Sequence, residues 1–376
     1  MLIHIDESAV ADAASGSHTA ELSHGCIENL LLAHFEGDHV ISLRPDPADT
    51  LRRAQLDWSA RARRALNHID DNYAQIAGLH NDVPWSIELG IGVSFDGAAH
   101  EVATGKRVIR ARLHAFDRVQ KVACAVLLGE NRTDADLFVQ LGFMMRAVRH
   151  WEGTAMVHAP RGGGGDTTAK EHQGIVDEAR ILLTVVDTDQ RHPKSGLGGT
   201  YRRLEDVARD HPAYQRARPL PVRTAEGLVP LGVYREVLTS PECLGSVDRI
   251  HQLLCSAPAD VLQYAPLKDG IRLYQVDHPK TEDEGEYWSK IAKNAGRDRC
   301  NRPVREQCTK REECRCYVVD ALGGNALSEV VTWMKAKTSK RRLAMSFGLS
   351  QHSKSELSAL SDEVLAWGLA LGPLQT

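Results

Sequence analysis

The chain has 376 residues, 42% of them hydrophobic and 26% charged, with a formal net charge of −4. That length implies two or three domains with a substantial core, and the composition is ordinary for a soluble globular protein. No apolar run approaches the roughly 20 residues that span a bilayer, and the small net charge does not by itself mark a nucleic-acid binder.

The start, Met1-Leu2-Ile3-His4-Ile5-Asp6, lacks a basic leader and reads as a strand. A cytoplasmic, membrane-free protein is expected. The first unit, residues 1–120, is an α/β unit of unknown role. Its strand Ile3–Ile5 is followed by a helix over Cys26–Phe35 and a second strand over His39–Leu43, stopped by Pro45 and Pro47. Asp49 is expected to cap a long helical stretch through Asp57, Ala65 and Ile69. Two further strands, Ser86–Phe95 and Val108–Phe116, flank a loop from Gly97 to Gly105.

The second unit, residues 121–238, alternates regularly: strand Ala123–Leu128, helix Asp134–Val148, strand Ala155–His158, glycine loop Gly162–Gly165, helix Thr168–Arg180, strand Ile181–Val186, a helix from about Thr200 to Arg209, and a short strand near Leu220–Val222. That rhythm predicts a mainly parallel sheet with helices on both faces. The third unit, residues 239–376, is mostly helical in pattern, and its last stretch, Ser355–Leu371, has a helical period.

Two acidic clusters follow core strands of the second unit. Glu130-Asn131-Arg132-Thr133-Asp134 comes directly after the first apolar run, and Asp187-Thr188-Asp189 directly after Ile181–Val186. Carboxylates at the C-terminal edges of buried parallel strands sit where open α/β sheets place their ligands. Four of them read as a site for hard divalent cations, which in two-metal centres stand about 3.5–4 Å apart and act on phosphates. Helix capping is the competing explanation for any one such acid.

This pattern resembles the TOPRIM fold shared by primases, topoisomerases and OLD-family nucleases. The run from Asp187 to Thr200 is most similar to the OLD-like branch and its bacterial anti-phage defence relatives. The segment Arg223-Thr224-Ala225-Glu226-Gly227-Leu228-Val229-Pro230 fits the same branch, with Gly227 where those relatives carry Asn. The resemblance covers roughly Lys121 to Leu238, with a fainter echo to Trp288. It implies phosphodiester cleavage with Mg²⁺ or Mn²⁺: Glu130 and Asp134 sharing one ion, Asp187 and Asp189 sharing or bridging another, Glu226 completing the shell, and Lys268 neutralising transition-state charge. DNA and tRNA are both open as substrates, and an anti-phage or toxin-like effector is the implied role. No Gly-x4-Gly-Lys-[Ser/Thr] element is present, so nucleotide-driven control would come from a separate ATPase or regulatory partner. A homo-oligomer is compatible with this reading. Rival readings are a non-catalytic binding module with a degenerate TOPRIM fold, and a PIN-like ribonuclease in the first unit using Asp6 and Glu28.

Eight cysteines in a cytosolic chain point to thiols or metal rather than disulfides. Cys26, Cys124, Cys243 and Cys255 are scattered. Cys300, Cys308, Cys314 and Cys316 lie within 17 residues among Arg and Lys, and four thiolates suit a structural Zn²⁺. That zinc loop, 300–316, falls within a basic run of nine Lys and Arg from Lys290 to Arg315, and Lys335–Arg342 adds five more. Such runs contact phosphates or simply face solvent. The glycine loop after Arg161 is either a backbone surface for a phosphate or a linker.

Overall fold

A computed structural model describes every residue except 55, 259, 299–314, 350–354 and 376. The chain falls into two compact units. One comprises Met1–Val185, Arg203–Arg218 and Gln351–Thr376; the other comprises Val186–Arg202 and Pro219–Ser350.

The chain opens with β1 (Leu2–Ile5), α1 (Glu7–Ala14), α2 (Ala20–Glu36), β2 (Val40–Ser42), α3 (Pro45–Arg53), α4 (Ala60–Asp71), α5 (Tyr73–Asp82), β3 (Trp85–Gly90), β4 (Ala99–Ala103) and β5 (Lys106–Arg112). These strands form a sheet of order β2-β1-β3-β5-β4, parallel except for β4, which runs antiparallel to β5. Ile41, Ile3, Ile87 and Ile109 stand in one register row and are all fully buried. The next row, Ser42, His4, Glu88 and Arg110, is polar, because side chains alternate faces along a strand.

Three expectations for this region are corrected. Asp49 is not a cap: α3 begins at Pro45, whose missing N–H costs nothing in a first turn, and Asp49 pairs with Arg52 inside the helix at 2.6 Å. The helical stretch then breaks and restarts at α4, where the Ser59 side chain accepts from the Ala62 amide. The strand starting near Ser86 stops at Gly90, where a Cβ would lie 2.1 Å from the Phe95 ring. Part of the expected 97–105 loop is strand β4, a hairpin arm turned by Gly105 at φ 74°.

Next come β6 (Val126–Gly129), α6 (Arg132–Val148), β7 (Ala155–Met156), β8 (Ala159–Gly162), α7 (Thr168–Asp177), β9 (Leu182–Val186), α8 (Gly199–Ala208) and β10 (Gln215–Pro219). They build a second sheet of order β10-β9-β6-β8, in which β6 is parallel to both β8 and β9. Val126, Leu128, Ile175, Val176 and Leu182 form its packed core, with Ala159 against it. The α/β character and the parallel sheet are as expected, but two strands are displaced. Of the expected strand Ala155–His158, only Ala155–Met156 is a strand, β7, and it pairs antiparallel with Leu369–Ala370; the strand beside β6 in this sheet is β8. The expected strand near Leu220 is instead β10. Both lie at sheet edges, where Pro160, Arg216 and Arg218 are tolerated and the apolar pattern that reveals a central strand is absent.

The remaining elements are α9 (Leu231–Val237), α10 (Pro241–Leu254), α11 (Val261–Tyr264), β11 (Ile271–Arg272), α12 (Leu273–Asp277), α13 (Glu282–Asn294), β12 (Tyr317–Val319), α14 (Ala326–Ala336), α15 (Lys340–Ser346), α16 (Glu356–Gly368) and β13 (Leu369–Ala370). This stretch is mostly helical, with β11 and β12 as an antiparallel pair. Val186–Arg202 and Pro219–Ser350 make up the second compact unit, while α16 returns to the first. It packs on α6, where a Cβ on Gly142 would meet Met156 Sδ at 2.6 Å and Val364 Cγ1 at 3.1 Å. Asp362 pairs with Arg149 through two bonds, and the buried Glu363 pairs with Arg216 and Arg218. No helix among the described residues is long and apolar enough to cross a membrane.

Candidate functional site

Glu130 and Asp134 belong to the first unit; Asp187, Asp189, Glu226 and Lys268 belong to the second. In the first unit, β6 passes into α6 through only Glu130 and Asn131. A Cβ on Gly129 would lie 2.8 Å from the Ala135 amide, and one on Gly162 would lie 2.6 Å from the Arg132 amide. Strand end and helix start therefore touch only because both positions are glycine. Asn131 caps α6 by accepting from the Asp134 amide at 3.0 Å. The Asp134 carboxylate in turn accepts from the Asn131 amide at 3.3 Å and its Nδ2 at 2.7 Å. This is a reciprocal capping box, and Asp134 is buried within it.

Glu130 is half-buried between the strand and this cap. Its backbone is held by the glycine loop: the amides of Gly164 and Gly165 donate to the Glu130 carbonyl at 2.8 and 3.1 Å, and that of Gly163 to the Gly129 carbonyl at 2.8 Å. Neither expectation for the loop holds. Those three amides are committed to protein carbonyls rather than open to a phosphate, and the loop is a packed part of the β6–α6 junction rather than a linker.

In the second unit, three acids are gathered on two touching segments. Asp187 Oδ1 accepts from the Ala225 amide at 3.1 Å, at the start of the short 3-10 turn Ala225–Leu228 that carries Glu226. The buried Thr188 donates through Oγ1 to the Val222 carbonyl at 2.9 Å, and the Asp189 amide donates to the Arg223 carbonyl at 3.2 Å. Tyr234 Oη donates to the Glu226 carbonyl at 3.0 Å and steadies the turn from its other side.

Asp189 has φ 53°, a left-handed conformation that few residues with a side chain adopt. Its side chain is exposed, and the Gly198 backbone crosses directly beneath it: a Cβ there would lie 2.5 Å from Asp189 Cβ and 2.6 Å from Oδ2. The Gly198 amide donates to the Thr188 carbonyl at 2.7 Å, closing the loop 188–198 on itself. Burial lowers the Arg223 pKa and Arg191 adds to that, while Asp189, Glu284 and Asp269 oppose it. Arg191 is itself paired with Glu284 at 3.3 Å. Sequence patterning alone does not single out Gly198, Arg191 or Arg223. The glycine-rich run Gly196-Leu197-Gly198-Gly199 after the acids is the one signal that points to the first.

Lys268 is exposed on the turn before β11, whose carbonyls at Leu267 and Lys268 accept from Leu322 and Gly323. Of the cysteine group, Cys300, Cys308 and Cys314 lie outside the described residues. Cys316 is half-buried just before β12, and its carbonyl accepts from the Leu273 amide at 2.8 Å. In the first unit, Asp6 caps α1 by accepting from the Ser8 amide and hydroxyl at 2.8 and 2.6 Å, and Glu28 accepts from the Ser59 amide at 3.0 Å. Both acids have ordinary structural work.

As donors for a metal, the carboxylates of Glu130, Asp187, Asp189 and Glu226 match the oxygen preference of Mg²⁺ or Mn²⁺. Among the described residues, no group of three or more His, Cys, Asp or Glu is arranged to hold a metal ion as the side chains stand. No family model matches the chain, and neither a curated protein nor a solved structure does.

Proposed function

We propose that this protein is a divalent-metal-dependent nuclease with a TOPRIM-like catalytic centre of the OLD-like kind, acting as an effector of anti-phage defence. The observation that carries the reading is the fixed Asp187-Thr188-Asp189 turn. Its central residue is buried and bonded, Asp189 is held in a costly backbone conformation, and Asp187 is docked on the turn bearing Glu226. Strain of this kind costs about 1–3 kcal/mol and persists where the surroundings impose it, commonly at functional sites.

In this reading Asp187 and Asp189 present carboxylates for one ion and Glu226 orients water or completes its shell, while within the first unit Glu130 presents a carboxylate for another ion at the β6–α6 turn. Asp134, already engaged in the capping box, chiefly fixes the turn from which Glu130 projects. Lys268 serves to offset charge on the cleaved phosphate. Mg²⁺ or Mn²⁺, when bound, supplies Lewis-acid polarisation of a phosphate oxygen and a more acidic water.

The test is incubation of plasmid, single-stranded DNA and tRNA with the protein in Mg²⁺ or Mn²⁺. Glu130→Ala and Asp187→Ala should each abolish cleavage, a loss of at least about 100-fold, without changing the circular dichroism spectrum. Asp6→Asn, which keeps the α1 cap, should cleave like the parent. Undiminished cleavage by both alanine variants would defeat the assignment, and loss of activity on changing Asp6 would move catalysis to the first unit.

A further inference from the structure

We propose that a second site, a phosphate-binding cavity, lies in the second unit between α10, the end of α13 and β12. The cavity has a volume of about 870 Å³, and its walls include Arg249, Arg297, Arg315, Ser246, Asp320 and Glu242. Its floor is Asp320, a carboxylate only 5% exposed. Asp320 Oδ1 accepts from Arg249 Nε at 2.6 Å, and Oδ2 from Arg297 Nη1 at 2.9 Å.

The two arginines differ in what remains to them. Arg297 is tied down throughout: Nη1 also donates to the Val318 carbonyl at 2.9 Å, and Nη2 to the Arg249 carbonyl at 2.7 Å. It is scaffold. Arg249 is half exposed, with its guanidinium fixed at Nε by Asp320 and at Nη2 by Ser246 Oγ at 3.3 Å. A cation held flat in this way loses little entropy on accepting an anion, which is what two-pronged recognition of a phosphate requires. Arg315 adds an exposed guanidinium to the same wall.

Three guanidinium groups therefore face two carboxylates, one of which is buried beneath two of them and already neutralised. The residual field is positive, so a cation is disfavoured, and an apolar ligand would strip water from the exposed parts of Arg249 and Arg315 without replacing its hydrogen bonds. Arg297 and Arg315 both come from the basic run 290–315, which the cleavage chemistry does not use. The proposal stands whether or not the protein cuts nucleic acid.

The experiment measures binding in EDTA, so that cleavage cannot intervene. Probes are a labelled single-stranded oligonucleotide of about 12 nucleotides, a nucleoside monophosphate and inorganic phosphate, each over a range of salt. Arg249→Ala and Arg315→Ala should each weaken oligonucleotide binding about five- to tenfold and lower the logarithmic salt slope by about 0.7 for every phosphate no longer neutralised. Arg249→Lys should recover only part of the affinity, because an ammonium lacks the planar fork. Binding of the monophosphate or free phosphate alone, abolished in the same variants, would keep the site and identify a small-molecule source. Parental affinity and slope in both alanine variants, or no binding of any probe to the parent, would overturn it. Arg53→Ala, which removes an exposed cation of α3 in the other unit, should bind like the parent, which separates this site from a general loss of positive charge.

Discussion

At the scale of single residues, Asp189 is the position where stability and the proposed chemistry pull in opposite directions. A side chain at φ 53° costs roughly 1 kcal/mol that glycine would not. Asp189→Gly keeps the backbone bond to Arg223 and removes only an exposed carboxylate. The variant should be as stable as the parent or more so, by up to about 1 kcal/mol in urea unfolding, while metal-dependent cleavage is lost. If instead cleavage persists in that variant, Asp189 is an ordinary turn residue. Gly198 offers the complementary case, since any side chain there meets the Asp189 carboxylate within 2.6 Å. Residues of this sort are only half legible in a sequence. The acids stand out by their place after apolar runs, whereas the glycine that shapes Asp189 is marked only by the glycine-rich run that follows, and its role depends on a close backbone approach that no spacing rule encodes.

Elements show where reading by periodicity succeeds and where it fails. The central strands β1, β3, β6 and β9 are buried on both faces or carry a clean alternation, so they stand out as apolar runs of the right length. Edge strands do not. β10 reads Gln-Arg-Ala-Arg-Pro, and its arginines make sense only once Glu363 arrives from α16, about 145 residues later. That pairing also explains why the last helix belongs with the first unit. Glu363 is 3% exposed at its side chain and balances Arg216 and Arg218, with the Arg216 guanidinium stacked over Trp85 at 4.5 Å. Removing the acid takes the buried counter-charge from both arginines, and Arg218 keeps only the longer pairing with the exposed Glu356 at 3.6 Å. Glu363→Ala should therefore lower stability by about 3 kcal/mol, read as a shifted urea midpoint with unchanged slope. A change below about 0.5 kcal/mol would mean that α16 is held by its apolar face alone.

Taken as a whole, the molecule carries its histidines in a way that makes acid its weak point. His34 and His172 are buried and His158 is half-buried, and desolvation is the first cause of their lowered pKa values: about 3 for His34 and about 4 for the other two. Each is wired in its neutral form. His34 Nδ1 accepts from the Ile41 amide at 3.1 Å, so its Nε2 carries the proton toward His68 Nδ1 at 3.0 Å. His172 Nδ1 lies 2.8 Å from Thr184 Oγ1, and His158 Nε2 lies 2.9 Å from the Val364 carbonyl. A folded pKa below the unfolded value of about 6.5 means that the unfolded chain binds more protons between the two. The stabilisation is thus complete above about pH 6.5 and is lost as pH falls through about 4. A drop from 6.5 to about 4 corresponds to a ceiling of about 3 kcal/mol per side chain, against a typical total of roughly 5–15 kcal/mol. Urea midpoints followed from about pH 7.5 to about pH 4 should fall steeply within that window, before most surface carboxylates are protonated. His172→Gln should flatten the fall while lowering stability at neutral pH. A midpoint that stays level down to about pH 4.5 would mean that these rings are charged in the native state, which neither their burial nor the Ile41 and Thr184 contacts permit.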